Sequence, residues 1–181
     1  MLGAGLISRA FKQRGVTTFE EACNLVQSLE YRRNSTKDDF EIVLKESCGT
    51  CSSKHQLIKK LAEENEILDC KLILCMFKMS DLNTPKIAVA LKKYGLNYIP
   101  EAHTYITING QIKDLTFPEG SDMTFLEDVL YEEEISADQI RYYKEETHKA
   151  YLKEWRVSEK MELTFEELWG VREECIGLLS C

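Results

Sequence analysis

The sequence predicts an α+β fold: a mixed core over residues 1–120 and an acidic helical extension over residues 121–181 that packs on the same domain. Three observations carry this. Capped segments with apolar residues at helical spacing recur along the chain. The run Cys70-Lys-Leu-Ile-Leu-Cys-Met-Phe77 is almost continuously apolar, as a strand buried on both faces is. Asn109-Gly110 lies between two β-rich stretches, the strongest short-range sign of a hairpin. At 181 residues and 44% hydrophobic, the chain can bury one good core.

In chain order, Thr18-x-x-Glu21 is a capping box, and Phe19, Ala22, Cys23, Val26 and Leu29 follow at helical spacing. Tyr31 to Asp39 reads as a polar loop. Phe40 to Ser47 fits both periods: Phe40, Val43 and Leu44 suit a helix, while Phe40, Ile42 and Leu44 suit a strand. A helix runs from Cys51 or Ser52 to about Glu64, with Leu57, Ile58 and Leu61 on its inner side. After the buried strand comes a short helix, with Thr84 as N-cap, Pro85 in the first turn and Gly95 closing it. His103 to Phe117 form the hairpin, with a two-residue type I′ turn. Beyond it the pattern is helical. Ser136-x-x-Gln139 caps a long helix carrying Ile140, Tyr143, Tyr151 and Trp155. Thr164-x-x-Glu167 caps a last one carrying Phe165, Leu168, Trp169, Cys175, Ile176 and Leu179. The aromatics read as packing residues.

Charge narrows the function. The net charge is −8, yet residues 1–120 hold 16 basic and 15 acidic groups, while residues 121–181 hold 7 and 16. No basic stripe of the kind that binds nucleic acid is present. The longest apolar run, Leu72 to Phe77, is far too short to span a membrane. The N-terminal stretch has neither the apolar region nor the cleavage pattern of a secretory signal. Seven cysteines at irregular spacing do not form a disulfide framework, so the expectation is a cytoplasmic protein with reduced thiols.

The chemistry concentrates in Cys48-Gly-Thr-Cys-Ser-Ser-Lys-His55. Three readings apply. A redox pair would use Cys48 as the exposed thiol and Cys51 to resolve it. With Pro100 ahead of the hairpin this resembles glutaredoxins in outline, although the strand after Pro100 is longer than that fold uses. A metal site would take Cys48, Cys51 and His55. Structural zinc wants a fourth ligand, usually from a second paired motif, and none exists; His103 or Cys75 would have to serve, and nothing in the spacing supports either. A nucleophile would use a cysteine at a helix start, where N–H groups and the dipole favour a thiolate, with a histidine base and a group to orient it.

His55 is the base nearest in sequence, one helical turn from Cys51. The hairpin offers another. Across a turn at 109–110, Ile108 faces Gln111, Tyr105 faces Asp114 and His103 faces Thr116. His103 and Asp114 therefore project from one mixed face with Tyr105, Thr107, Ile112 and Thr116, as diagonal neighbours. Ile106, Ile108 and Leu115 form the more apolar opposite face.

"GTCSSKHQLIKKLAEE" followed by "EAHTYITINGQIKDLTFP" resembles the transglutaminase-like superfamily, a papain-related cysteine fold, over roughly residues 20–118. The residues that match in kind and order are Gly49, Cys51, His103 and Asp114. The resemblance implies a buried helix headed by its cysteine and packed on a mainly antiparallel sheet. It also implies that the mixed face of the hairpin meets that helix. Cys51 is then the nucleophile, His103 the base and Asp114 its orienting carboxylate. The activity implied is an amide hydrolase or acyltransferase working through a thioester on a peptide, amide or ester, without a cofactor. Many members use an upstream tryptophan toward the oxyanion. Neither Trp155 nor Trp169 is placed for that, so Asn34 or Tyr31 takes the role alongside the Cys51 N–H. Two other classes stay open: a redox protein using Cys48 and Cys51, and a non-catalytic module that binds a protein partner through its acidic C-terminal helices.

Overall fold

The structure, a computed structural model, describes residues 1–36, 39–118 and 125–179. Lys37 and Asp38 of the expected polar loop, the expected boundary at 120/121, and Cys181 lie outside the described residues. The elements before the sheet are α1 (Leu6–Lys12), α2 (Phe19–Ser28), β1 (Glu30–Tyr31), α3 (Ile42–Glu46), β2 (Cys48–Gly49) and α4 (Cys51–Glu64). Then come β3 (Cys70–Ser80), α5 (Ala88–Tyr94), β4 (Tyr98–Ile108), β5 (Gln111–Lys113), β6 (Val129–Ile135), α6 (Gln139–Ser158) and α7 (Phe165–Leu179). β1 and β2 pair in parallel, Glu30 with Cys48 and Tyr31 with Gly49. The other strands form one antiparallel sheet in the order β5-β4-β3-β6, with α4 packed on it.

Contacts divide the chain into two units. The first contains residues 1–74, the stretch that begins at Thr104, and the one from Glu133 to Arg141; the second contains the remainder. Neither is a continuous segment of chain.

In the first unit the capping box at Thr18 forms as expected: Thr18 Oγ1 accepts from the Glu21 N–H, and Glu21 Oε2 accepts from the Thr18 N–H. α2 buries Ala22, Cys23 and Val26. α3 resolves the ambiguous stretch in favour of a helix. α4 begins and ends where the sequence placed it, and buries Leu57, Ile58, Leu61 and Ala62 completely. The hairpin register is also as expected, with Ile108 opposite Gln111, Thr107 opposite Ile112 and Ile106 opposite Lys113. Asn109 and Gly110 have φ of 51° and 76°, which the type I′ turn requires.

Two expectations about this region change. β5 stops at Lys113, so Asp114 lies just past the ladder and not on a strand beside that of His103. The cause is local: Asp114 Oδ1 accepts from both the N–H and the hydroxyl of Thr116 (2.9 and 2.5 Å), a turn that draws the chain out of the ladder. The mixed face is also enclosed, with His103, Tyr105 and Thr116 all buried. As an inner strand β4 has neighbours on both sides.

A third change concerns the extension, where residues 129–135 are strand and not helix. Glu132-Glu-Glu134 masks the strand in the sequence. β6 lies at the sheet edge, where charged side chains are tolerated and alternation weakens. The two C-terminal helices form as expected, and both capping pairs are made, at Ser136/Gln139 and Thr164/Glu167.

The second unit is built around a buried charge. Glu101 is 5% exposed and receives a bidentate pair from Arg172, Nε to Oε2 at 2.8 Å and Nη2 to Oε1 at 2.5 Å. The ring of Trp169 lies under the guanidinium, and His148 donates its Nε2–H to the Pro100 carbonyl at 2.9 Å. Burial by itself would raise the Glu101 carboxyl, but Arg172, then His148 and Lys144, outweigh it and hold it at about 2. Burial also depresses His148, against the pull of Glu101.

Both shifts leave the unfolded chain taking up protons before the fold does. Stability should therefore hold near pH 7, begin to fall below about 6.5 and fall more steeply below about 4.5. Arg172→Met, which strands the Glu101 carboxylate, should cost about 3–5 kcal/mol in chemical denaturation at pH 7. Loss of less than about 1 kcal/mol would show that this pair does not hold the unit together.

Candidate functional site

The site is assembled from the first turn of α4 and the chain just after the hairpin, all within the first unit. β1 pairs with β2 and so lays residues 30–31 against Cys48 and Gly49. Thr50, extended at φ −96°, precedes the helix, and its N–H is accepted by Ser53 Oγ at 3.0 Å. Cys51 is the first helical residue and is 8% exposed.

One turn further in, two polar residues occupy core positions. Lys54 and His55 are both 0% exposed and continue the buried stripe of Leu57, Ile58, Leu61 and Ala62. Lys54 Nζ donates to the Leu29 carbonyl at 2.6 Å and to the Thr116 carbonyl at 2.9 Å. It thereby ties the end of α2, α4 and the turn after β5 to a single ammonium. Desolvation pushes Lys54 down to about 8, opposed by Asp114, Cys48 and Cys51.

Gly49 makes this possible. A Cβ there would stand 2.8 Å from Ser53 Oγ and 2.9 Å from Lys54 Cγ, so the lysine stem runs where a side chain would otherwise sit. The glycine serves close approach, and its role is steric.

His55 is bolted at both ends. The Leu115 N–H donates to Nε2 at 2.7 Å, so Nε2 carries a lone pair. The proton is then on Nδ1, which donates to the Cys51 carbonyl at 2.7 Å. Asp114 Oδ1 lies 3.5 Å from the same Nε2. Because Nε2 accepts from Leu115, this is a contact with a neutral ring and not an ion pair with an imidazolium. Asp114 thus approaches a histidine, but one other than the histidine the sequence assigned to it.

No family model, curated protein or solved structure matches this chain. The site therefore rests on its geometry.

His103 belongs to the second unit, where its ring meets Phe125 at 4.6 Å between centroids and Phe77 at 6.0 Å. Tyr31 stacks on Phe117 at 4.7 Å. Asn34 Nδ2 donates to the Cys48 carbonyl at 2.9 Å and to Glu46 Oε2 at 3.1 Å, which commits both amide protons. Its Oδ1 is buried and has no hydrogen-bond partner among the described residues. An oxyanion role for Asn34 would require one of those bonds to be released.

The cysteines separate by environment. Burial pushes Cys23 up to about 12 and Cys70 and Cys175 up to about 11, and it raises Cys48. Cys48 is also 0% exposed, which is the wrong setting for the attacking thiol of a redox pair. Among the described residues no group of three or more His, Cys, Asp or Glu is arranged to hold a metal.

Neither the burial of Lys54 nor the structural use of His55 is evident from the sequence pattern. A signal is present, since 54, 57, 58 and 61 share one helical stripe, but a lysine is seldom buried and so does not stand out as a core residue. Two variants test the assembly. Gly49→Ala should lower stability by about 1–3 kcal/mol through overpacking against the Lys54 stem. His55→Ala, which strands the Leu115 N–H and the Cys51 carbonyl, should cost on the order of 3 kcal/mol. Urea denaturation measures both, and near-wild-type midpoints would contradict the assembly described.

Proposed function

We propose that the protein is a cysteine-dependent acyl-transfer enzyme, an amide hydrolase or acyltransferase acting on a peptide, amide or ester. The observation that carries this reading is the position of Cys51. It heads a 14-residue helix, while burial drives four other thiols away from ionisation. Exposed N–H groups and the dipole at a helix start favour the anion.

In this reading Cys51 Sγ bonds to the substrate carbonyl carbon, the leaving group departs with a proton from the base, and a thioester remains. Water or an amine then displaces Cys51. His55 is not the base, because both of its nitrogens are engaged with the main chain. The base is then His103, with Asp114 as its orienting carboxylate, as the transglutaminase-like resemblance implies. No cofactor enters the reaction.

One observation favours a second reading, a non-catalytic module that binds a protein. Asp114 Oδ1 already accepts two bonds from Thr116, as a purely structural turn residue does.

Iodoacetamide alkylation of Cys51 against pH separates the two. The enzyme reading predicts that Cys51 reacts ahead of the other cysteines, with a midpoint well below the unperturbed value of about 8.5. His103→Ala should raise that midpoint, whereas folded His55→Ala should leave it in place. A wild-type midpoint near 8.5 would favour the binding module. Loss of reactivity in His55→Ala but not in His103→Ala would overturn the assignment of the base.

A further inference from the structure

Resting on the acyl-transfer reading, we propose that Lys54 is a positioning residue of the Cys51 site, its buried ammonium supplying the fixed positive charge opposite a Cys51 thiolate. Three features of the fold carry this. Lys54 is three residues along α4 from Cys51, on the same side of the helix. Helical side chains lean toward the N-terminus, so its stem is directed back over the turn that Cys51 begins. Gly49, just ahead of that turn, leaves the space the stem occupies.

The charge is also held still. With no exposed surface and two carbonyl acceptors, on Leu29 and Thr116, the ammonium cannot swing out to water as lysine heads ordinarily do. A lysine at a core position is costly, and a leucine or methionine would fill the same stripe without that cost. The charge therefore calls for a use.

The groups that face it define that use. The charges that act on it are, in decreasing order, Asp114 from the turn after β5, Cys48 from β2, and Cys51 from its own helix, while neutral His55 contributes none. Asp114 is anchored to Thr116 and partly offsets the ammonium. Cys48 is pushed up by burial and by the Glu46 and Glu30 carboxylates, against Arg32 and Lys54, and has no exposed surface, whereas Cys51 keeps 8%. Of the two thiols, Cys51 stands at the helix start and retains exposed surface, so it is the one the ammonium serves. The coupling is reciprocal: an anion at Cys51 supports the proton on Lys54, and the proton on Lys54 supports the anion.

Two measurements test this. The first is the iodoacetamide rate of Cys51 against pH in Lys54→Gln, which can keep a hydrogen bond to the carbonyls but carries no charge. The expected result is a midpoint raised by about one unit, so that the rate near pH 7 falls about tenfold, with unchanged circular dichroism. The second is an NMR titration of the Lys54 side chain in wild type and in Cys51→Ser. It needs no change at position 54, so it decides the matter if Lys54→Gln does not fold. The Lys54 midpoint should move down when the thiol is removed.

A reactive wild-type Cys51 whose profile is unchanged in folded Lys54→Gln would overturn the proposal. So would a Lys54 titration that ignores Cys51→Ser. If wild-type Cys51 proves no more reactive than the other thiols, the acyl-transfer reading fails, and the shift in the Lys54 titration still reports whether the two groups are coupled.

Discussion

The pair of buried polar contacts that Lys54 and His55 make to residues 115 and 116 is the constraint on which the rest of the site depends. Leu115 gives its N–H to the imidazole, and Thr116 gives its carbonyl to the ammonium. Two adjacent residues of α4 thus capture two adjacent residues of an irregular segment. Once that segment is fixed, the remaining geometry follows. Asp114 closes its turn on Thr116, the ladder of β5 ends at Lys113, and Leu115 is fully buried. At the other end of the ammonium, Leu29 is fixed at the exit of α2, next to the β1–β2 ladder that delivers Gly49 and Cys51. Buried polar groups of this kind stabilise only when every member is satisfied, which makes the arrangement sensitive to single atoms.

The second unit offers an instructive contrast. There a buried carboxylate is met by a guanidinium in bidentate geometry, so the charge is cancelled where it is buried. The hydrogen-bond acceptors of Lys54 are neutral carbonyls, which solvate the ammonium without cancelling it. The first arrangement suits a structural role. In the proposal made above, the second leaves a field for Cys51 that Asp114 only partly offsets, which is what separates Lys54 from an ordinary buried ion pair.

Much of the fold was legible because it is coded locally. The Thr18, Ser136 and Thr164 capping pairs fix helix starts within four residues of chain. The Asn109-Gly110 turn fixes the hairpin register, since its length leaves no freedom to slip. What was not legible depends on partners distant in sequence. The glutamates of β6 read as a solvated helix because the strand they border is recognised only through pairing. Parity placed Asp114 opposite Tyr105 by extending a ladder that the Asp114–Thr116 bond cuts short. His55 looked like a candidate base because it lies one turn from Cys51, and only the Leu115 N–H, 60 residues away, shows its lone pair to be occupied.

The protonation pattern of the His55 ring tests the central claim most directly, and a long-range ¹⁵N–¹H correlation spectrum of the native protein at pH 7 reads it. The account predicts a neutral ring with its proton on Nδ1, donated to Cys51, and an unprotonated Nε2 receiving the Leu115 amide. A proton on Nε2, in the other tautomer or in an imidazolium paired with Asp114, would contradict it. That result would release Leu115 from α4 and return His55 to the candidates for the base.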